Sequence, residues 1–91
     1  MPTLVQRQLL GEARVGRCHR LREELALEWV ELVAPSDARA DSALVQGIEF
    51  RGAALGALCC GPKRSGAPFS AAERELVRGV ASQAALALQN A

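Results

Sequence analysis

Aromatic residues are scarce in this sequence. Its 91 residues include one Trp, two Phe and no Tyr, although hydrophobic residues make up 49% of the chain. The core must therefore be built mainly from Leu, Val and Ala. A chain of this length buries a smaller share of its surface than a longer one does, so we expect a single domain, residues 1–91, with a thin core.

An excess of charge of either sign is also lacking. Eleven Lys and Arg oppose ten Asp and Glu, which gives a formal net charge of +1. A surface that binds nucleic acid normally carries a clear basic excess, so we expect no nucleic-acid partner. No apolar run approaches the roughly 20 residues that cross a bilayer, and the N-terminus lacks the regions of a signal peptide. We therefore expect no membrane association and a cytoplasmic location.

Cysteines are too few and too irregular for a disulfide framework. The chain has three, Cys18, Cys59 and Cys60, and an odd number of thiols cannot all pair within the chain. Adjacent residues on a strand point to opposite faces, so we interpret Cys59 and Cys60 as small buried hydrophobic residues. One His and three Cys in this spacing do not form a zinc motif. We predict no metal ligands and no catalytic residues.

The last third of the chain carries the firmest structural signals. Ser70 lies three residues before Glu73, the spacing of a capping box in which each side chain binds a backbone N–H of the first helical turn. Apolar residues then recur at helical spacing and give one apolar face. Its members are Leu76, Val77, Val80, Ala81, Ala84, Ala87 and Leu88, of which Leu76, Val80, Ala84 and Leu88 should contact the sheet. The pattern predicts a helix over residues 70–90 that packs this face on a sheet.

A β-hairpin is predicted immediately upstream. Residues 43–50 alternate between apolar and polar, Arg51-Gly52 is suited to a tight turn, and residues 53–61 are almost entirely apolar. Because the second strand is apolar on both faces, it should occupy the centre of the sheet. Gly56 within it should allow a helix to approach closely. The loop 62–68 that follows should be exposed, with its basic residues facing water.

The first half of the chain is less regular. Residues 1–26 form a helical N-terminal segment, which we expect to break near Gly16 because Gly costs about 1 kcal/mol in a helix interior. Its second piece should run from Cys18 to Leu25. Residues 27–34 are the first strand, and residues 35–43 form a polar loop without periodicity, the stretch most suited to flexibility. The prediction is an α+β domain with helices on one face of a small antiparallel sheet.

Several motifs in residues 44–91 resemble those of the GAF domain family. They are the Arg-Gly turn before Leu-Gly-Ala-Leu, the Gly-Pro-Lys-Arg-Ser-Gly loop, the Phe-Ser-x-x-Glu start of the helix and its closing Ala-Ser-Gln-Ala-Ala-Leu-Ala-Leu-Gln-Asn-Ala. Residues 20–35 resemble the family only loosely, as a helix and a first strand. The chain lacks the middle of the fold, where the loops that wrap a ligand lie in that family. It resembles the abbreviated GAF-like segments that precede the kinase core in bacterial sensor histidine kinases.

The resemblance implies a sensory or signal-relay module that is not an enzyme. It also implies a homodimer formed through the terminal helices, and a kinase or cyclase effector domain following Ala91 in a longer parent chain. Leu9 and Leu10 in the N-terminal segment, and the stripe Gly79, Ser82, Leu86 and Asn90 on the last helix, are the residues that such a contact would cover. Because the middle of the fold is missing, we expect no bound cofactor.

Two alternatives remain open at this point. Some GAF-type proteins are thiol enzymes that reduce oxidised methionine, which would give Cys18 or the pair Cys59 and Cys60 a chemical role. A small-molecule receptor with a residual pocket between hairpin and helix is the other. The pair Cys18-His19 also resembles the motif that holds the chromophore in bilin photoreceptors of the family. Since only 17 residues precede Cys18, no pocket should close around a tetrapyrrole.

Overall fold

The computed structural model describes residues 18–90 and places them in two helices and three strands. Residues 18–25 form helix α1, and the strands are β1 (Val30–Val33), β2 (Leu44–Phe50) and β3 (Ala53–Cys60), followed by helix α2 (Ala71–Asn90). The helical segment predicted before Cys18, which includes Leu9 and Leu10, lies outside the described residues. Neither of the helices in the described part of the chain is long and apolar enough to cross a membrane.

The sheet is antiparallel and has the strand order β1-β3-β2. The prediction of an α+β fold is confirmed, as is the central position of the apolar strand. Strand β3 is buried from Gly56 to Cys60, because it has a neighbouring strand on each side. Cys60 pairs with Val30 of β1 and with Leu44 of β2.

One face of the sheet, the helix face, packs against both helices. Side chains from α1, from β2 and β3 and from α2 meet there in one cluster. Its buried members are Leu21, Leu25, Leu27, Ile48, Leu58, Cys60, Val77, Ala81, Ala84 and Ala85. Aliphatic side chains and alanines make up the cluster, as the shortage of aromatic residues predicts. The single tryptophan is not among its buried members.

Helix α2 packs on the sheet through part of its predicted apolar face. Val77 is completely buried, whereas Leu76 is 38% exposed. The predicted face is therefore confirmed at Val77, Ala81 and Ala84 and was wrong at Leu76, while Val80 and Leu88 pack partly buried against the core. The buried positions after Val77 include three alanines, Ala81, Ala84 and Ala85, whose small side chains let the helix backbone lie close to the sheet. Leu76 faces the neighbouring helix α1 instead.

Helix α1 ends in a Schellman motif centred on an alanine. The N–H of Leu27 donates to the carbonyl of Arg22 (3.0 Å), and the N–H of Ala26 donates to that of Glu23 (3.4 Å). Ala26 has a φ of 50°, the left-handed conformation in which Gly is usual. Strand β1 therefore starts at Val30, three residues later than predicted, because the chain first has to leave the helix.

The hairpin turn is as tight as predicted, but Gly56 has another role. Arg51 and Gly52 both have positive φ, 52° and 81°, which is the signature of a two-residue type I′ turn. A Cβ on Gly56 would lie 2.9 Å from the backbone oxygen of Val33. Its lack of a side chain thus accommodates strand β1, and the prediction that it admits a helix was wrong.

The opposite face of the sheet, the loop face, is covered by a connecting segment. Residues 34–43 link β1 to β2 and contain a short 3-10 helix, Pro35–Asp37, which contacts β3. Cys59, which points to the loop face, is completely buried. Apart from this 3-10 helix, which the sequence did not predict, residues 35–43 form the predicted loop.

Replacing Ala26 with Gly should stabilise the domain, since Gly adopts positive φ without the steric cost of a Cβ. We expect a gain of about 1 kcal/mol in the free energy of unfolding, or a rise of about 4–8 °C in the melting temperature of a domain of this size. Thermal unfolding followed by circular dichroism measures it. Ala72→Gly, in the first turn of α2, is the control and should lower the melting temperature. Equal effects of the two substitutions would contradict the proposed strain at Ala26.

Candidate functional site

A lysine anchors the loop between β3 and α2. The sequence predicted instead that the basic side chains of this loop would face water. The Nζ of Lys63 donates to the Oε1 of Glu73 (2.7 Å) and to the carbonyl of Pro68 (3.4 Å), and its side chain is 15% exposed. The Oε1 of Glu73 also accepts the N–H of Ser70 (2.8 Å), and the Oγ of Ser70 accepts the N–H of Glu73 (3.1 Å). The predicted capping box is confirmed, and Lys63 extends it.

These hydrogen bonds lower the pKa of the Glu73 carboxyl to about 2. The largest cause is the hydrogen bond from Lys63, and the next is the backbone N–H of Ser70. The same loop reaches the end of α1, where the N–H of Arg64 donates to the carbonyl of Ala26 (2.9 Å). The loop therefore sets where α2 starts relative to α1.

A groove of about 300 Å³ runs between the two helices. Leu21, Leu76 and Val80 supply its apolar part, and charged or polar side chains, including Arg20, supply its rim. The residues that line it are Arg20, Leu21, Glu24, Glu75, Leu76, Gly79, Val80 and Gln83. A Cβ added to Gly79 would meet no atom within 4 Å, so the groove is open above this position.

The second half of α2 exposes a surface without charge. Arg78 is the last charged residue of the chain, and residues 79–90 contain none. Gly79, Ser82 and Leu86 follow one another at helical spacing and are all exposed, with Leu86 at 53%. The exposed stripe predicted from the sequence is therefore present as far as Leu86, while the side chain of Asn90 lies outside the described residues. Depletion of charge around an exposed large apolar side chain is typical of a protein interface.

The adjacent thiols of Cys59 and Cys60 are poorly placed to act as nucleophiles. Cys59 and Cys60 have no exposed surface. Burial, the largest cause, together with the neighbouring thiols raises the pKa of Cys60 to about 12. A nucleophilic thiol needs an exposed position and a lowered pKa. In the part of the chain from Cys18 to Asn90, no group of three or more His, Cys, Asp or Glu is arranged to hold a metal ion.

Cys18 and His19 line a shallow cavity of about 220 Å³ together with Arg22, Trp29 and Val30. This volume is below the about 300–1,000 Å³ that holds a drug-sized ligand. Another open depression, of about 310 Å³, lies between β2 and α2, at the place where the sequence suggested a residual pocket. Its lining, which includes Glu49 and Arg78, is mostly polar.

A cation–aromatic cluster that the sequence did not suggest lies at the start of β1. The guanidinium carbon of Arg39 lies 3.7 Å from the ring centroid of Trp29. Its nitrogens donate to both carboxylate oxygens of Asp41 (3.0 and 2.7 Å) and to Glu31 (3.3 Å). Sequence reasoning missed it because Arg39 and Trp29 are ten positions apart and belong to different elements. The only available signal was an Arg and an Asp two residues apart in a loop.

Comparison with protein-family models matched the GAF domain over residues 4–88. This range covers nearly the whole chain. The chain belongs to the GAF domain family. A search of curated proteins and a search of solved structures gave no match.

Membership of the GAF family confirms the resemblance drawn from the C-terminal motifs and extends it to residue 4. It supports a signal-sensing module as the general class of function. The three-stranded sheet with its long C-terminal helix is consistent with a truncated form of the GAF fold. The groove between the helices and the uncharged surface of α2 are the candidate site, because they are exposed and carry the apolar side chains of Leu76 and Leu86.

The Glu73 carboxylate should make stability depend on pH between about 2 and 4.3, the folded value and the ordinary value of a Glu. Because the pKa is lowered on folding, the stabilisation is complete above about pH 4.3 and is lost as the pH falls towards about 2. Glu73→Gln should lower stability at neutral pH and flatten the acid limb of the stability curve. Urea unfolding at a series of pH values measures both effects.

Glu75→Gln is the matched control for this experiment. Glu75 lies on the same helix and pairs with Arg78 at 2.9 Å, but both side chains are more than 60% exposed. An exposed pair of this kind contributes little. If the two substitutions changed the acid limb equally, the assignment of the pH dependence to the contacts of Glu73 would be wrong.

Proposed function

We propose that this GAF domain is a non-catalytic relay module that dimerises through its terminal helices. The observation that carries the proposal is the uncharged, exposed surface of α2, on which Leu86 is 53% exposed. A twofold contact is the commonest way for a soluble protein to cover such a surface. In this arrangement, a change in packing at one end of the helices is passed along them to whatever follows.

The groove between α1 and α2 supports the same proposal. It places the half-exposed Leu76 beside Gly79, where the absence of a side chain permits another helix to come close. Small residues at such positions favour close helix packing, as they do wherever backbones approach one another. The surface for the contact is therefore formed by both helices, and it continues along α2 to Leu86.

The parent protein that suits this module is a cytoplasmic bacterial sensor histidine kinase. The abbreviated GAF-like segments that the chain resembles precede the kinase core in such proteins, and a cyclase is the other effector that would fit. Helix α2 is the C-terminal element of the described fold, so it is the element suited to transmit a change onward. The sequence of the full-length parent would test this assignment directly.

Two other functions remain as alternatives. A thiol enzyme of the methionine sulfoxide reductase type would need a reactive cysteine, and the burial of Cys59 and Cys60 argues against their use. A small-molecule receptor could use the depression between β2 and α2, where Arg78 and Glu49 would contact a polar ligand. The relay is preferred because its surface is apolar and uncharged, whereas this depression is open and polar.

Light scattering at micromolar concentration should show a dimer, and Leu86→Glu should convert it to a folded monomer. A charge buried in an apolar contact is left without solvent or a partner, which disfavours association. Val45→Glu is the matched control, because Val45 is similarly exposed (46%) but lies on β2. It should leave the dimer intact. A monomeric unmodified protein, or a dimer that only Val45→Glu disrupts, would contradict the proposal.

Thiol titration separates the relay from a thiol enzyme that uses Cys59 or Cys60. We expect Cys59 and Cys60 to react with an aromatic disulfide only after unfolding, because both are buried and the pKa of Cys60 is about 12. The variants Cys59→Ser and Cys60→Ser should therefore leave the number of thiols that react in the folded protein unchanged. If either variant removed a rapidly reacting thiol, the enzyme alternative would be favoured.

A further inference from the structure

We propose that Trp29 and Glu31 form a binding site for a guanidinium group, and that Arg39 of the same chain occupies this site as an internal ligand. The inference is independent of the dimer proposed above. It rests on the contacts of Arg39, which stacks on the indole ring at 3.7 Å and donates to Glu31 at 3.3 Å.

The two residues that form the site are held by the sheet. Glu31 pairs in register with Cys59 of the central strand. The carbonyl of Trp29 accepts the N–H of Gly61 at 2.8 Å. The indole ring also lies directly against Gly61, where an added Cβ would be 2.5 Å from its Nε1. The ring of Trp29 and the backbone of Glu31 are therefore held by the sheet, independently of the loop that carries Arg39.

The chemistry of the site suits a guanidinium better than an ammonium group. A guanidinium is planar, so it can stack on an indole ring while its N–H groups point outward to carboxylates. Arg39 uses this geometry: its face lies over Trp29, and its edge donates to Glu31 and Asp41. An ammonium group has the charge but lacks the flat surface and the fork of donors.

Arg39 is suited to be displaced. Its side chain and that of Glu31 are 40% and 37% exposed, and ion pairs between exposed side chains are weak and are screened by salt. Residues 34–41 of the connecting segment are exposed throughout. An external guanidinium therefore competes with an internal one, and its apparent affinity is reduced by the fraction of time that Arg39 occupies the site.

The ligand is therefore a guanidinium, either a small ion or the side chain of an arginine in another polypeptide. Displacement of Arg39 would release residues 34–43 from Trp29. These residues cover the loop face, where Cys59 is buried. Binding at the site should therefore increase the reactivity of the Cys59 thiol. This consequence gives the experiment a second signal besides the tryptophan.

The test uses the variant Arg39→Ala and methylguanidinium, with Trp29 as the reporter because it is the only Trp in the chain. We expect a saturable change in fluorescence, with an apparent affinity at least about tenfold higher than in the unmodified protein, since the internal competitor has been removed. The additional substitution Glu31→Gln should abolish the change. The methylguanidinium concentration is kept to about 10 mM, at which a guanidinium salt is too dilute to denature the protein. Sodium chloride holds the ionic strength constant.

Two further arms complete the experiment. Methylammonium should produce no saturable change, and the tripeptide Gly-Arg-Gly should bind. Binding of the tripeptide more tightly than methylguanidinium assigns the site to an arginine of a polypeptide, while equal binding assigns it to a small guanidinium compound.

Folding of Arg39→Ala is checked by circular dichroism. If the variant does not fold, the unmodified protein is titrated, where methylguanidinium but not methylammonium should raise the reactivity of Cys59.

The proposal would be overturned by a folded Arg39→Ala variant that shows no saturable response. It would be overturned equally by a response that Glu31→Gln leaves unchanged, or by equal responses to methylguanidinium and methylammonium. In the unmodified protein, a failure of methylguanidinium to raise the reactivity of Cys59 would count against it in the same way. None of these outcomes depends on whether the protein is a dimer.

Discussion

Strand β3 is the constraint on which the rest of the structure depends. Its last five residues, from Gly56 to Cys60, are buried and apolar on both faces, so the chain has to supply cover on both sides. Two helices cover one side. A chain of this length has little left for the other, and a ten-residue connection with a single 3-10 turn covers Cys59 there. The thin core follows from this division, because only the helix face receives large aliphatic side chains.

The sequence predicted the features that depend on neighbouring residues. The capping box at Ser70 and Glu73, the turn at Arg51-Gly52 and the central apolar strand all arise within a few positions, so their signals can be read directly. The rotation of α2 could not be predicted in the same way. Leu76 and Val77 both begin apolar stripes with helical spacing, and the choice between them is made by the sheet, against which the small Ala81, Ala84 and Ala85 pack closely.

The same difference between local and long-range features applies to the candidate site. The stripe on α2 that ends at Leu86 follows from helical spacing and was predicted, whereas the groove beside it requires the position of α1, which the sequence does not give. The side chain of Lys63 was predicted to face water because loops are usually solvated. That prediction was wrong because its partner, Glu73, is ten residues away and leaves no local signal in the sequence. The cluster around Arg39 combines a strand and a loop. Contacts of this kind depend on how the elements are arranged, and no local pattern specifies them.

The two functional surfaces proposed for this GAF domain lie on opposite sides of β3. Leu58 and Cys60 point to the helices, and Cys59 between them points to the segment that Arg39 fastens. Strand β3 contacts both the 3-10 helix and α2, and close-packed side chains transmit displacement because they leave no free volume to absorb it. Any influence of residues 34–43 on the helices would therefore act across a single strand.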